Sequence, residues 1–261
     1  MIQSKTSSLV TAVPAGALLF VVFSLLFSLL YLSSACSQHP PKEGEISHRH
    51  RAQADDIEAG KVSEPVAHHS FEDAERWSKK FDAPRRKDWQ KPAEVIELMK
   101  IEPGMTVADI GAGTGYFLGY LSHAVGVHGT VLGLDVEPTM VDFMTDRAKR
   151  EGWSNVEART IQREDPGLPG GTVDRILIVN TWHHIYDDRE SYSRKLYEAL
   201  TPGGEILVVD FTHQSSHGPP VSQRIRPEEV MAELQAGGLD VQLLKESLPD
   251  QYIVVGRRLP E

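Results

Sequence analysis

Apolar positions along this 261-residue chain fall into three regimes. No Asp, Glu, Lys or Arg occurs between Lys5 and Lys42, and Leu9 to Leu32 is almost wholly apolar. A run of that length is enough to cross a bilayer as a helix. Residues 37–68 are rich in His, Pro, Glu, Ala and Ser, show little apolar periodicity and read as a flexible linker. From residue 69 to 261 short apolar runs alternate with helical periodicity, over a length that suits one α/β unit. Helices are expected near Phe71–Phe81 and Pro92–Met99, then a strand over Thr106–Ile110 and a helix from Tyr116 to Ala124. A strand over Thr130–Asp135, a helix from Thr139 to Gly152 and a strand over Val156–Thr160 follow. Asp174–Asn180 contains Ile-Leu-Ile-Val, a continuous apolar run of the kind a parallel strand buried on both faces requires. A helix over Asp188–Leu200, a Thr-Pro-Gly-Gly turn at 201–204 and a strand over Glu205–Asp210 come next. A helix near Pro227–Gly237 precedes two closely spaced strands, about Leu239–Lys245 and Gln251–Arg257. The alternation predicts a parallel sheet with helices on both faces.

The chemistry concentrates where the first strand ends, at Val107-Ala-Asp109-Ile-Gly111-Ala112-Gly113-Thr-Gly115-Tyr116. Three alternate glycines directly after an apolar strand mark a tight loop entering a helix, where backbone must adopt positive φ or approach a ligand closely. A dinucleotide fingerprint needs its third glycine at position 116, which is Tyr.

The G-x-G-x-G spacing, with Asp109 two residues before it, resembles motif I of the class I S-adenosylmethionine (SAM) dependent methyltransferases. The resemblance covers about residues 70–257. It implies a Rossmann-like, seven-stranded, mostly parallel sheet with the last strand antiparallel, and SAM as cofactor. The glycine loop, Asp109 to Tyr116, then packs against the methionine part of SAM. Asp135, ending the second strand with Val136 behind it, holds the ribose hydroxyls, for which an acceptor-only carboxylate is suited; capping of the helix near Pro138 is the alternative role. Gln162 lies where the family meets the adenine. Leu200-Thr-Pro-Gly-Gly resembles the family's structural turn before the fifth strand. Trp89-Gln-Lys-Pro92 and His217-Gly-Pro-Pro220 resemble a poorly characterised bacterial, membrane-tethered or exported subset, in segments that line acceptor pockets. Trp89 serves equally as a packing residue, and the loop holding His213 and His217 as a lid or a solvated loop.

Asn180-Thr-Trp-His183-His184 falls at the end of the fourth strand, at the edge where open α/β sheets place ligands. Methyl transfer needs donor and acceptor held in line and, for an acceptor that must lose a proton, a base. His183 or His184 is placed for that, and adjacent histidines point differently, so one of them at most faces the donor. Asn180-Thr-Trp-His does not match the Asn/Asp-Pro-Pro-Tyr of enzymes methylating amide or adenine nitrogens. The sole cysteine, Cys36, lies outside the domain, which argues against a cysteine nucleophile.

The net charge of −10 argues against a nucleic-acid partner. The basic stretch Lys79-Lys80 with Arg85-Arg86-Lys87 reads as a solvated helix face and turn. His48-Arg-His50 and His68-His69 read as linker histidines rather than metal ligands, and no metal site is expected. Residues 1–36 read as a signal peptide or membrane anchor. Cys36 after Leu32-Ser-Ser-Ala35 resembles a bacterial lipobox, although Ser33 stands where Leu is usual. The domain is then membrane-associated, lipid-anchored at Cys36 or single-pass; the flanking Lys and Arg slightly favour the cytoplasmic side, and a lipoprotein reading places it outside. The expected function is methyl transfer to a small molecule or envelope component. The rivals are a SAM-binding module without catalysis and a nicotinamide-dependent oxidoreductase.

Overall fold

The computed structural model describes residues 73–186 and 188–260. The anchor expected at 1–36, the linker at 37–68 and its histidines lie outside the described residues. Seven strands form one sheet: β1 (Thr106–Ile110), β2 (Thr130–Asp135), β3 (Val156–Thr160), β4 (Val173–Val179), β5 (Leu200–Phe211), β6 (Asp240–Leu243) and β7 (Gln251–Arg257). Their order is β3-β2-β1-β4-β5-β7-β6. The first five pair in parallel, and β7 runs antiparallel to both of its neighbours, as the closely spaced final pair implied.

Alternation of side chains sends β4 into two cores at once. Ile176 and Ile178 face a cluster with Leu196, Val230 and Leu234. Leu177 and Val179 face another with Val95, Met99, Leu118 and Leu121. Each such side chain taken fully out of water stabilises the fold by roughly 1.5–3 kcal/mol. Helices cover the two faces: α1 (Ala74–Phe81), α2 (Arg86–Gln90), α3 (Pro92–Leu98), α4 (Leu118–Val125), α5 (Pro138–Glu151), α6 (Arg189–Ala199) and α7 (Pro227–Ala236). The chain crosses from β3 over to β4 beside β1, so the C-terminal ends of β1 and β4 border the crevice where doubly wound sheets bind ligands.

Three local differences from the sequence expectation have physical reasons. α2 carries Arg-Lys-Asp-Trp-Gln, too short and too polar to show a periodicity. α4 starts at Leu118 rather than Tyr116, because the glycine loop spends 111–117 in turns. Thr201–Gly204 is a bulge inside β5 and not a turn before it. Val173 pairs Leu200 while Arg175 pairs Glu205, so the Pro-Gly-Gly is looped out without breaking the strand.

Candidate active site

Each glycine of the loop answers a different demand, although all three have positive φ, +70° at Gly111, +57° at Gly113 and +78° at Gly115. A Cβ on Gly111 would lie 2.3 Å from the side chain of Thr181. On Gly115 it would lie 2.8 Å from Leu118. On Gly113 it would meet only the Phe81 ring, at 3.6 Å. The outer two glycines are therefore tightly packed, whereas a Cβ on the middle one would only touch the Phe81 ring at van der Waals distance. The amides of Gly111 and Ala112 both donate to the carbonyl of Leu134, at 2.8 and 3.0 Å, which fastens the loop to the end of β2.

Asp135, the next residue, is 8% exposed. Its Oδ2 accepts from the Gly113 amide at 2.8 Å and its Oδ1 from the Glu137 amide at 3.0 Å. Two of the carboxylate's four lone-pair sites stay open for hydroxyl donors. It does not cap α5, whose N-cap is Glu137 with no side-chain bond. Burial pushes the Asp135 carboxyl up, and the Glu137 and Gly113 amides pull it back. Asp109 is more deeply enclosed, at 2% exposure. Burial raises it to about 7 even with Arg86 nearby pulling down. Val136 is partly buried, and Gln162 is exposed two residues beyond β3, in an isolated bridge with Asp165. Gln162 follows Ile161, whose amide donates to the Asp135 carbonyl, so the adenine candidate lies close to the ribose candidate.

The segment before the core closes over this loop. Asp82, after α1, accepts from Arg147 at 3.0 Å through both oxygens, and the same Arg147 Nη1 donates to the Thr114 carbonyl. Lys79 and Lys80 form an exposed helix end, as expected for a solvated basic face. Arg86 departs from that expectation and turns inward. Its Nη1 donates to the Phe81 carbonyl at 2.8 Å, and its Nε and Nη2 to Gln90 Oε1 at 3.3 and 3.2 Å. Its guanidinium carbon lies 4.0 Å from the centre of the Tyr116 ring. Burial lowers Arg86 to about 10, opposed by Tyr116, Asp82 and Asp109.

On the other side of the crevice, Asn180 turns the chain out of β4 with φ +55°, a backbone region in which Asn is enriched. Its Oδ1 accepts from Gln251 Nε2 at 2.5 Å and its Nδ2 donates to Gln90 Oε1 at 3.4 Å. Gln90 Nε2 donates to Gln251 Oε1 at 2.5 Å, closing a triangle of three amides from α2, the turn after β4, and β7. The 3-10 turn Trp182–His184 then places the two histidines. His183 is buried, with Nδ1 at 2.9 and 3.0 Å from the oxygens of Asp210 at the end of β5. That carboxylate also accepts the amides of Phe211 and His183. His184 is more exposed, and its Nδ1 lies 3.3 Å from the Tyr186 hydroxyl. Trp89 stacks on His217 with ring centres 4.9 Å apart and tilts against Phe211 at 5.8 Å. The loop of His213 and His217 is braced from below, where Arg224 donates to the carbonyls of Thr212, His213, Ser215, His217 and Pro219, while Gln214, Ser216, His217 and Gly218 stay exposed.

The sequence reading placed the loop, Asp135, Asn180 and His183 at one edge, and they stand there together. It missed Arg86, Gln90, Asp210 and Gln251. A signal existed for Asp210, which ends an apolar run as Asp109 and Asp135 do. None existed for the two glutamines, which meet across 161 residues. Among the described residues no cluster of His, Cys, Asp or Glu is arranged to hold a metal ion.

Residues 107–204 match the family described as a methyltransferase domain. A solved SAM-dependent methyltransferase from Aquifex aeolicus superposes with a TM-score of 0.66 and 28% identity, over 72% of this chain and 99% of that one. The matched residues and the seven-stranded fold around them are those of a class I SAM-dependent methyltransferase domain. SAM is the cofactor of this methyltransferase, and its own residues fit the group: an uncrowded middle glycine, the ribose-type carboxylate and a buried Thr114 hydroxyl with no partner. The nicotinamide alternative falls with the family and with Tyr116, whose ring lies under Arg86 where a glycine was needed. The ubiquinone/menaquinone biosynthesis C-methyltransferase of Hydrogenovibrio crunogenus is 30% identical over 125 residues, 48% of either chain. The phosphoethanolamine N-methyltransferase of Triticum aestivum is 30% identical over 148 residues, 57% of this methyltransferase and 27% of that protein. The chain thus spans half or less of the length of these curated relatives.

Proposed function

We propose that this chain transfers a methyl group to a small acceptor whose proton is removed by His183. The observation that carries the proposal is the His183–Asp210 pair, buried at the same sheet edge as Asp109 and Asp135. When bound, SAM supplies a methyl group on a sulfonium, already activated toward in-line displacement. The chain's part is positioning, exclusion of water and movement of one proton. An aspartate carboxylate accepts, so Nδ1 of His183 is the nitrogen that carries the hydrogen, and Nε2 is left as the proton acceptor. Asp210 holds that tautomer and stabilises the imidazolium formed after the proton moves.

The surroundings favour a small neutral acceptor. The side chains gathered at this edge are the amides of Asn180, Gln90 and Gln251, the last two fully buried, and the rings of Trp89, Phe211 and His217. The nearby cation Arg224 is spent on backbone carbonyls. The two relatives named above are a carbon and a nitrogen methyltransferase, so the acceptor panel spans both atom types. The test is incubation of the full-length chain with methyl-labelled SAM and a panel of neutral phenols, enols and amines. The expected result is label on one class, lost in His183→Asn. A chain that binds S-adenosylhomocysteine and labels no acceptor, with His183→Asn indistinguishable from the parent in every assay, would favour the non-catalytic module instead.

As part of the same proposal, the apolar stretch Leu9–Leu32 and Cys36 tether the domain to a membrane. Palmitate labelling of the parent and its absence in Cys36→Ser would support a lipid anchor. Unlabelled protein in the membrane fraction would leave the single-pass anchor, and recovery in the soluble fraction would end both.

A further inference from the structure

We propose that Arg86 binds the carboxylate at the amino-acid end of the donor, so that the chain grips SAM at that end as well as at the ribose. The inference rests on the donor site proposed above and adds a residue to it.

Arg86 begins α2 and is mostly buried, yet it has no ion pair among the described residues. A guanidinium carries five N–H donors. Here three hydrogen bonds are made, all to neutral oxygens, the Phe81 carbonyl and the Gln90 side chain. Both Nη atoms bear two hydrogens, so each keeps one N–H unspent. The acidic side chains that sense the charge do not neutralise it. Asp82 is held by Arg147, and Asp109 is enclosed at the end of β1, beyond ion-pair distance. Removing a cation from water without a counter-ion is costly, and side chains that bear that cost as part of a site are waiting for an anion.

The position says which anion. Arg86 lies on the face of Tyr116, the residue immediately after the third glycine. The ribose-type carboxylate, Asp135, is bonded to Gly113, three residues before Tyr116 in the same loop. A ligand stretched along the loop with its sugar at Asp135 therefore brings its far end toward Tyr116 and Arg86. In SAM and S-adenosylhomocysteine that end is an α-amino acid. Its carboxylate is planar with two acceptor oxygens, the group that a guanidinium fork recognises better than an ammonium does. The aromatic ring beneath fixes the plane of the guanidinium, and Gln90 fixes its rotation about the side chain. The Asp109 carboxyl nearby offers acceptor oxygens to the ammonium of the same amino acid.

The test is calorimetric titration of the full-length chain with two ligands. S-adenosylhomocysteine has the amino-acid end, and 5′-methylthioadenosine has the same adenosine and sulfur without it. The parent chain binds both. Arg86→Gln loses roughly tenfold or more for S-adenosylhomocysteine, the scale of a charged hydrogen-bond pair, and stays within twofold for 5′-methylthioadenosine. Arg86→Lys, which keeps the charge and loses the fork, recovers part of the loss. Thermal melting of each variant verifies that it is folded. Equal losses on both ligands would overturn the inference, since Arg86 would then only shape the loop. Unchanged S-adenosylhomocysteine affinity in Arg86→Gln would overturn it too. A folded parent chain that binds neither ligand would instead bring down the donor site itself.

Discussion

His183 Nδ1 sits between the two carboxylate oxygens of Asp210, 2.9 Å from one and 3.0 Å from the other, with both residues almost fully enclosed. One proton is shared along that line, and Nε2 is the nitrogen left for chemistry. Nitrogen-15 NMR of the parent chain should find the hydrogen on Nδ1 of His183, and Asp210→Asn should shift the population toward Nε2–H. Once an acceptor is known, His183→Asn and Asp210→Asn should each lower turnover about 10²–10⁴-fold, the range of general-base catalysis, with the double variant little worse than either. His184→Ala should stay within about threefold, because its ring faces Tyr186 outside the pair. Equal losses at both histidines would refute the assignment of the base.

Asp135 accepts two backbone amides and has two lone-pair sites left over. Replacing it by Ala should weaken S-adenosylhomocysteine by about 1.5–3 kcal/mol, the scale of hydrogen bonds to a charged group. Calorimetry decides, and an unchanged affinity means that the ribose is held elsewhere.

Burial raises the Asp109 carboxyl to about 7, while an unfolded aspartate titrates near 3.9. The native state thus binds more protons than the unfolded state across that interval, and this group's contribution to stability is lost as pH rises from about 4 to 7. Asp109→Asn should flatten that part of the stability curve. Melting temperatures at pH 5 and pH 8 should fall less in the variant than in the parent. A parallel fall in both would show that Asp109 is not the group responsible.

Gly111 and Gly152 have nearly the same φ, +70° and +74°, but opposite surroundings. A methyl on Gly152 meets nothing within 4 Å, and on Gly111 it collides with Thr181. Gly152→Ala should cost the roughly 1–2 kcal/mol of left-handed backbone alone. Gly111→Ala should cost clearly more and impair donor binding, and Thr181→Gly should restore part of it. Urea melts of the four chains measure the difference.

The elements written as continuous apolar runs were legible in the sequence, since β1, β2 and β4 each carry a stretch buried on both faces, Val107–Ala108, Val131–Leu134 and Ile176–Val179. So were features with strict local geometry, the alternate glycines and the carboxylate ending β2. What the sequence concealed was built from polar residues in short or irregular segments. Arg86 lies in a run of basic residues that all look solvated, and only the turn after α1 aims one of them inward. Gln90 and Gln251 carry no local signal, because an amide is as common on a surface as in a satisfied interior. Even the Thr-Pro-Gly-Gly of β5, whose residues favour a turn, is bridged by pairing on either side of it.

The amide triangle of Gln90, Asn180 and Gln251 carries an implication for the order in which the protein acquires its abilities. Apart from Arg86 and Gln162, the residues proposed for the donor fall within 109–135, a continuous piece of chain. The opposite side of the crevice waits for β7, because Gln251 must pair with residues made long before it. During synthesis the residues proposed to hold the donor, the latest of them Gln162, therefore emerge well before Gln251, which completes the amide triangle.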